Sequence, residues 1–164
     1  LFSSMTLAEN IALPLEQYTD YAPRDIADIV RYKLALVGLA GYEDYEPSAI
    51  SGGMRKRAAL ARAIALDPDL LFFDEPSAGL DPISSRRLDE LIVQLKESTG
   101  ATVILVTHEL PSIFGIASNS VFLDAGSRTM IDSGDPRWLR EHSAHALVRQ
   151  FLNRAAEPEG QADE

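Results

Sequence analysis

One stretch, Ser48 to Asp81, constrains this chain more than any other: SAISGGMRKRAALARAIALDPDLLFFDEPSAGLD. It sets three parts in a fixed order. A Ser-Gly-Gly turn opens a segment of helical periodicity, with Ala58, Ala61, Ile64 and Ala65 on one stripe and Arg55, Lys56, Arg57 and Arg62 outside it. Asp67-Pro68 stops that helix, because proline lacks the N–H and crowds the preceding turn. Leu70 to Phe73 then reads as a strand buried on both faces, ending in Asp74 and Glu75. Downstream, Pro82 stands at the first position of a helix carrying Leu88, Leu91, Ile92 and Leu95, Gly100 closes it, and Thr102 to Thr107 reads as a second buried strand. Strand, helix, strand implies an α/β chain with a parallel sheet and a right-handed crossover.

The same stretch concentrates the candidate chemistry. Ser51 suits an N-cap, and Gly52 and Gly53 let a ligand approach the backbone closely. A helix start carries roughly half a positive charge and free N–H donors, so the ligand it favours is an anion, typically phosphate. Acids at the carboxyl end of a parallel strand lie where open α/β sheets place ligands. There Asp74 suits Mg²⁺ held through water, and Glu75 suits orienting or deprotonating an attacking water. Each feature also has a plain structural explanation: a cap, a strand leaving the core, a surface histidine at His108, an N-cap at Asp81 for the helix at Pro82. Their order on the right element types is what sets them apart.

In that order they resemble the second half of an ABC-transporter ATPase. ISGGM at 50–54 resembles the LSGGQ signature, with Ile50 for Leu and Met54 for Gln; LLFFDE at 70–75 resembles the Walker B strand and its glutamate. SAGLD at 77–81 resembles the D-loop, and the His of VTHE, His108, matches the switch histidine. LFSSMTLAENIALPL and RKRAALARAIALDPDLLFFDEPSAGLDP look most like the Mla/MCE-type ATPases, which power phospholipid movement across the bacterial envelope. The resemblance implies ATP and Mg²⁺ as ligands and a head-to-tail homodimer in which Ser51, Gly52, Gly53 and Met54 of one copy meet the γ-phosphate held by the other. It also implies a metal role for Asp74, water activation by Glu75, γ-phosphate contact by His108, and a link across the interface by Asp81. Its helical subdomain contacts the transmembrane permease subunits, here through residues around Phe2 to Leu15. The place of work is then the cytoplasmic face of the inner membrane, as a peripheral subunit. Two other readings stand beside it, a soluble ABC ATPase acting on ribosomes or DNA and a non-catalytic truncated binding module.

Composition narrows these. The 164 residues hold 25 acids against 15 bases, a formal charge of −10, which disfavours a nucleic-acid partner. No cysteine is present, so disulfides and thiolate metal sites are excluded. No apolar run nears the ~20 residues that span a bilayer, and no signal segment opens the chain. No G-x-x-x-x-G-K-[ST] occurs, and the first residue is Leu1 rather than Met. The expectation is an incomplete P-loop NTPase fold, a fragment lacking Walker A and Q-loop that does not hydrolyse ATP alone. Its unpaired sheet edge then favours self-association.

Three regions are expected: a helical subdomain at 1–66 including the signature, the carboxy-terminal part of a RecA-like core at 67–154, and a disordered acidic tail at 155–164. In the first, Thr6 and Glu9 form a capping box for a helix that Pro14 kinks or stops, and a second helix runs from Pro23 to Leu39. In the second, Ser120 to Leu123 and Arg128 to Ile131 suggest a hairpin, followed by short helices at Pro136 to Arg140 and Ala144 to Leu152. Trp138 is read as a packing residue. His142 and His145 lack the neighbours of a metal site.

Overall fold

A computed structural model describes residues 1–154; the expected acidic tail lies outside the described residues. The chain forms two compact units, Leu1–Val106 and a second beginning at Thr107.

The first unit begins with α1, Leu7–Tyr18, whose capping box is formed as expected: the Thr6 N–H donates to Glu9 Oε2 at 2.7 Å and the Glu9 N–H to Thr6 Oγ1 at 3.2 Å. The helix runs through Pro14 instead of stopping there. Pro14 costs one backbone bond, but Leu7, Ile11 and Leu15 are wholly buried along one stripe, and that packing outweighs the lost bond. Helix α2, Pro23–Leu36, ends short of the expected Leu39. Gly38 takes φ +67°, which turns the chain early and buries Leu39, whose N–H reaches the Leu34 carbonyl at 2.8 Å.

A 3₁₀ turn at Pro47–Ala49 leads into α3, Gly52–Ala63, which packs against α1 and α2. Three of the basic residues read as lying outside its apolar stripe are tethers. Arg57 donates to the carbonyls of Val37 at 2.9 Å and Gly38 at 3.2 Å, the Arg62 guanidinium lies 4.9 Å from the Phe2 ring centre, and Lys56 reaches toward β1. Lys33, 3% exposed, pairs with Asp67 just past α3 and fastens α2 to that turn.

Strand β1, Leu70–Asp74, helix α4, Pro82–Thr99, and strand β2, Thr102–Val106, follow in the expected alternation. Gly100 closes α4 with φ +72°. The strands are parallel, in register from Leu70 opposite Thr102 to Asp74 opposite Val106. The expectation of burial on both faces fails: Leu71 is buried, but Phe72 is 69% exposed, and Leu70, Ile104 and Val106 share its exposed face. One crossover helix covers one face of a two-stranded sheet, not two.

The second unit holds α5, Leu110–Ile116, the antiparallel pair β3, Ser120–Asp124, and β4, Thr129–Gly134, then α6, Pro136–His142, and α7, Ala146–Asn153. Its core is Leu110, Ile113, Leu139, Val148 and Leu152, with Phe122, Ile131 and Phe151 against it. The hairpin and both late helices match the expectation to within a few residues. Trp138 does not pack in this core; it is 56% exposed and stacks on His142 with ring centres 5.0 Å apart.

Candidate functional site

The first unit gathers seven of the eight residues singled out from sequence. Ser51 caps α3, its Oγ accepting from the Met54 N–H at 3.2 Å. Gly52 and Gly53 occupy the first two positions of the helix in ordinary backbone conformation. A Cβ built on Gly52 would meet nothing closer than 3.9 Å, and one on Gly53 nothing closer than 3.7 Å. The fold therefore has room for a side chain at both positions. The bare backbone at these first two positions of the helix lets a ligand approach its N–H groups closely.

Besides Arg55 of the same helix, the neighbours of those phantom Cβ atoms are Leu80 and Ser84, so the start of α4 lies beside the start of α3. Asp81 caps α4 with Oδ1 accepting from the N–H groups of both Ile83 and Ser84, each at 3.0 Å. Hydrogen bonds from Ser84, the hydroxyl foremost and then the backbone N–H, hold the Asp81 carboxyl below its ordinary range, with Ile83 adding to them. The two helix starts thus differ in charge. Asp81 brings its own anion, whereas Ser51 brings only a neutral hydroxyl.

Between them runs the turn that follows β1. Asp74 ends the strand exposed, opposite Val106. Glu75 takes φ +45°, unusual for a residue with a side chain, and its N–H donates to the Val106 carbonyl at 2.9 Å. Lys56 Nζ donates to the Glu75 carbonyl at 3.4 Å, tying α3 to this backbone. Backbone strain costing about 1–3 kcal/mol persists only where neighbours over-determine it, and these bonds supply that constraint. Ser77, fully buried, has an Oγ without a hydrogen-bond partner among the described residues. Lys56, Ser77 and Ser84 were not reached by sequence reasoning. Lys56 reads as a surface base until its helix is docked, and Ser77 reads as a turn residue until the fold buries it.

His108, the eighth residue, belongs to the second unit, two positions along the chain from the end of β2. Among the described residues no group of three His, Cys, Asp or Glu side chains gathers to hold a metal. Also among the described residues, no helix is long and apolar enough to cross a membrane.

The ABC transporter family profile matches residues 1–78. The probable ribonucleotide transport ATP-binding protein mkl of Mycobacterium tuberculosis is 43% identical over 100% of this chain and 45% of its own length. The chain belongs to the ABC-transporter ATPase family. The intermembrane phospholipid transport system ATP-binding protein MlaF of Escherichia coli is 40% identical over 96% of this chain and 57% of its own length. The methionine import ATP-binding protein MetN of Bradyrhizobium diazoefficiens is 40% identical over 93% of this chain and 43% of its own length. The chain spans about half the length of the curated relatives it matches. Its α/β architecture, helices α1 to α3 followed by a parallel β1–α4–β2 unit, is that of part of an ABC ATPase.

Proposed function

We propose that this chain is the signature-bearing part of an ATP-hydrolysing ABC subunit. The observation that carries the reading is the start of α3, where two glycines leave backbone N–H groups bare although the fold has room for side chains. A triphosphate tail accounts for that: it needs close backbone approach and favours the positive end of the helix.

On this reading the site is completed by a second copy. Ser51, Gly52, Gly53 and Met54 of one copy close over the γ-phosphate of ATP bound by the other. Glu75 takes a proton from the attacking water, and its strained, doubly fastened backbone fixes where the carboxylate stands. Mg²⁺, held with the help of Asp74, would offset the charge gathering on the phosphate oxygens. His108 contacts the γ-phosphate side, and Asp81, beside the glycines, links the two sites. Phosphoryl transfer depends mainly on positioning and charge stabilisation, so a dimer that closes only around nucleotide couples hydrolysis to movement. The 164 residues contain no G-x-x-x-x-G-K-[ST], so by themselves they do not cleave ATP.

The subunit works on the cytoplasmic face of a membrane, with residues 1–66 meeting a transmembrane permease and 67–154 contributing to the nucleotide core. Phospholipid is the proposed cargo, supported by the match to MlaF; the mkl relatives carry the name of a ribonucleotide transporter. The test is magnesium-dependent ATP cleavage by the complete polypeptide and its Glu75→Gln variant. The variant is expected to retain ATP with little turnover, and normal turnover would remove Glu75 from this role.

A further inference from the structure

Glu75 stands in an unusual backbone conformation, φ +45°, and the bonds that hold it come from different parts of the fold. Its N–H donates to the Val106 carbonyl at 2.9 Å, on the neighbouring strand. Its carbonyl accepts from the Ala78 N–H at 3.2 Å, within the turn, and from Lys56 Nζ at 3.4 Å, out of α3. Of these three, the Lys56 bond is the one that crosses from the helices to the end of β1. Lys56 is half-buried, and an ammonium on a carbonyl makes a stronger bond than a neutral donor does. Bonds on both peptides that flank Glu75 fix the direction of its Cα–Cβ bond, and so where its carboxylate can stand.

The other end of this link is the helix itself. Lys56 lies one turn into α3, about 6 Å along the axis from Gly52. The next residue, Arg57, donates to the Val37 and Gly38 carbonyls at 2.9 and 3.2 Å, and α3 packs on α1 and α2. A helix so short is stiff over one turn, so a displacement of its bare start reaches Lys56, and through Lys56 the Glu75 carbonyl.

We propose that Lys56 is a positioning residue that links the two nucleotide sites of the dimer. The proposal rests on the function proposed above, in which the α3 start of one copy closes over ATP held by the other. Glu75, at the end of β1 in the nucleotide core, acts on the ATP of its own copy. Closure of α3 on the far nucleotide then seats Lys56 against the Glu75 carbonyl and sets the general base for the near one. Without Lys56 both nucleotides still bind, but the near base is no longer set by the far closure.

The test uses dimers of the complete polypeptide assembled from two differently tagged copies. Glu75→Gln in one copy confines turnover to the ATP of the other. Lys56→Met in the copy that keeps Glu75 should lower kcat on the order of tenfold, with KM for ATP within about twofold. Lys56→Met in the Glu75→Gln copy should leave kcat within about twofold of the dimer that lacks it, although that copy's α3 start closes over the ATP being cleaved. Lys56→Gln, too short to span the gap, should repeat both results and stands in if the methionine variant does not fold, as melting curves show. Equal losses in the two arrangements would mean that Lys56 serves the packing of α3, and would overturn the proposal. So would an unchanged kcat in the first arrangement, with the role of Glu75 left standing. If Glu75→Gln in both copies leaves turnover normal, the functional reading itself falls and takes this link with it.

Discussion

The starts of α3 and α4 lie side by side and solve one problem in opposite ways. Both helices open with unpaired N–H donors. At α4, Asp81 places a carboxylate on two of them and Pro82 removes another donor, so that start is satisfied by its own chain. At α3, a neutral Ser51 hydroxyl takes one N–H, and two glycines follow where side chains would fit. A helix start closed by its own acid is explained by folding alone. On the proposed reading, one left uncharged and bare suits a ligand that brings the negative charge, so the difference separates a start satisfied by its own chain from one open to phosphate.

The largest expected effect lies on the turn between the two starts. Glu75→Gln in the complete polypeptide should lower ATP turnover by roughly 100-fold or more, as removal of a general base does, with ATP still retained in a filter assay. Next comes Gly53→Ala. Turnover should fall on the order of tenfold as the methyl group enters the phosphate's approach, while thermal unfolding shows stability unchanged or raised by up to about 1 kcal/mol. A fall in stability instead would mean that the glycine serves the fold. Ser51→Ala should remove about 1 kcal/mol of cap stability in denaturant unfolding. The smallest effect is at Asp81. Its carboxyl is held below the ordinary value of 3.8, so the stability it contributes is present above that pH and lost as pH falls through its lowered folded value. Asp81→Asn should flatten that acid limb in melting curves recorded against pH, whereas Ser51→Ala should leave its shape unchanged.

The sequence was most legible where one local interaction decides the structure. Thr6 with Glu9, Ser51 before two glycines, and Asp81-Pro82 each name a helix start, and all three occur. Leu70 to Asp74 likewise forms the expected strand. Legibility failed where distant packing decides. Pro14 reads as a break until Leu7, Ile11 and Leu15 are seen to anchor the helix on both sides of it. The run at Leu70 to Phe73 does not say how many helices will cover its sheet. Helix α5, LPSIFGI, went unread because Pro111 and Gly115 mask a helix of only seven residues, held by Leu110 and Ile113 in the core of the second unit. For the site, residue types gave the cap and the acids, but the tether from Lys56 to the Glu75 carbonyl needed the fold.

The most direct test places a negative charge on the bare helix start. Gly53→Asp, in the complete polypeptide that also carries Glu75→Gln, should melt no lower than its parent, since an acid favours the first turn of a helix by about 0.3–1 kcal/mol. It should also fail to form the dimer that the parent forms with ATP and magnesium in sedimentation velocity. A Gly53→Asp protein that still dimerises around ATP as its parent does would contradict the claim that this helix start receives the phosphate.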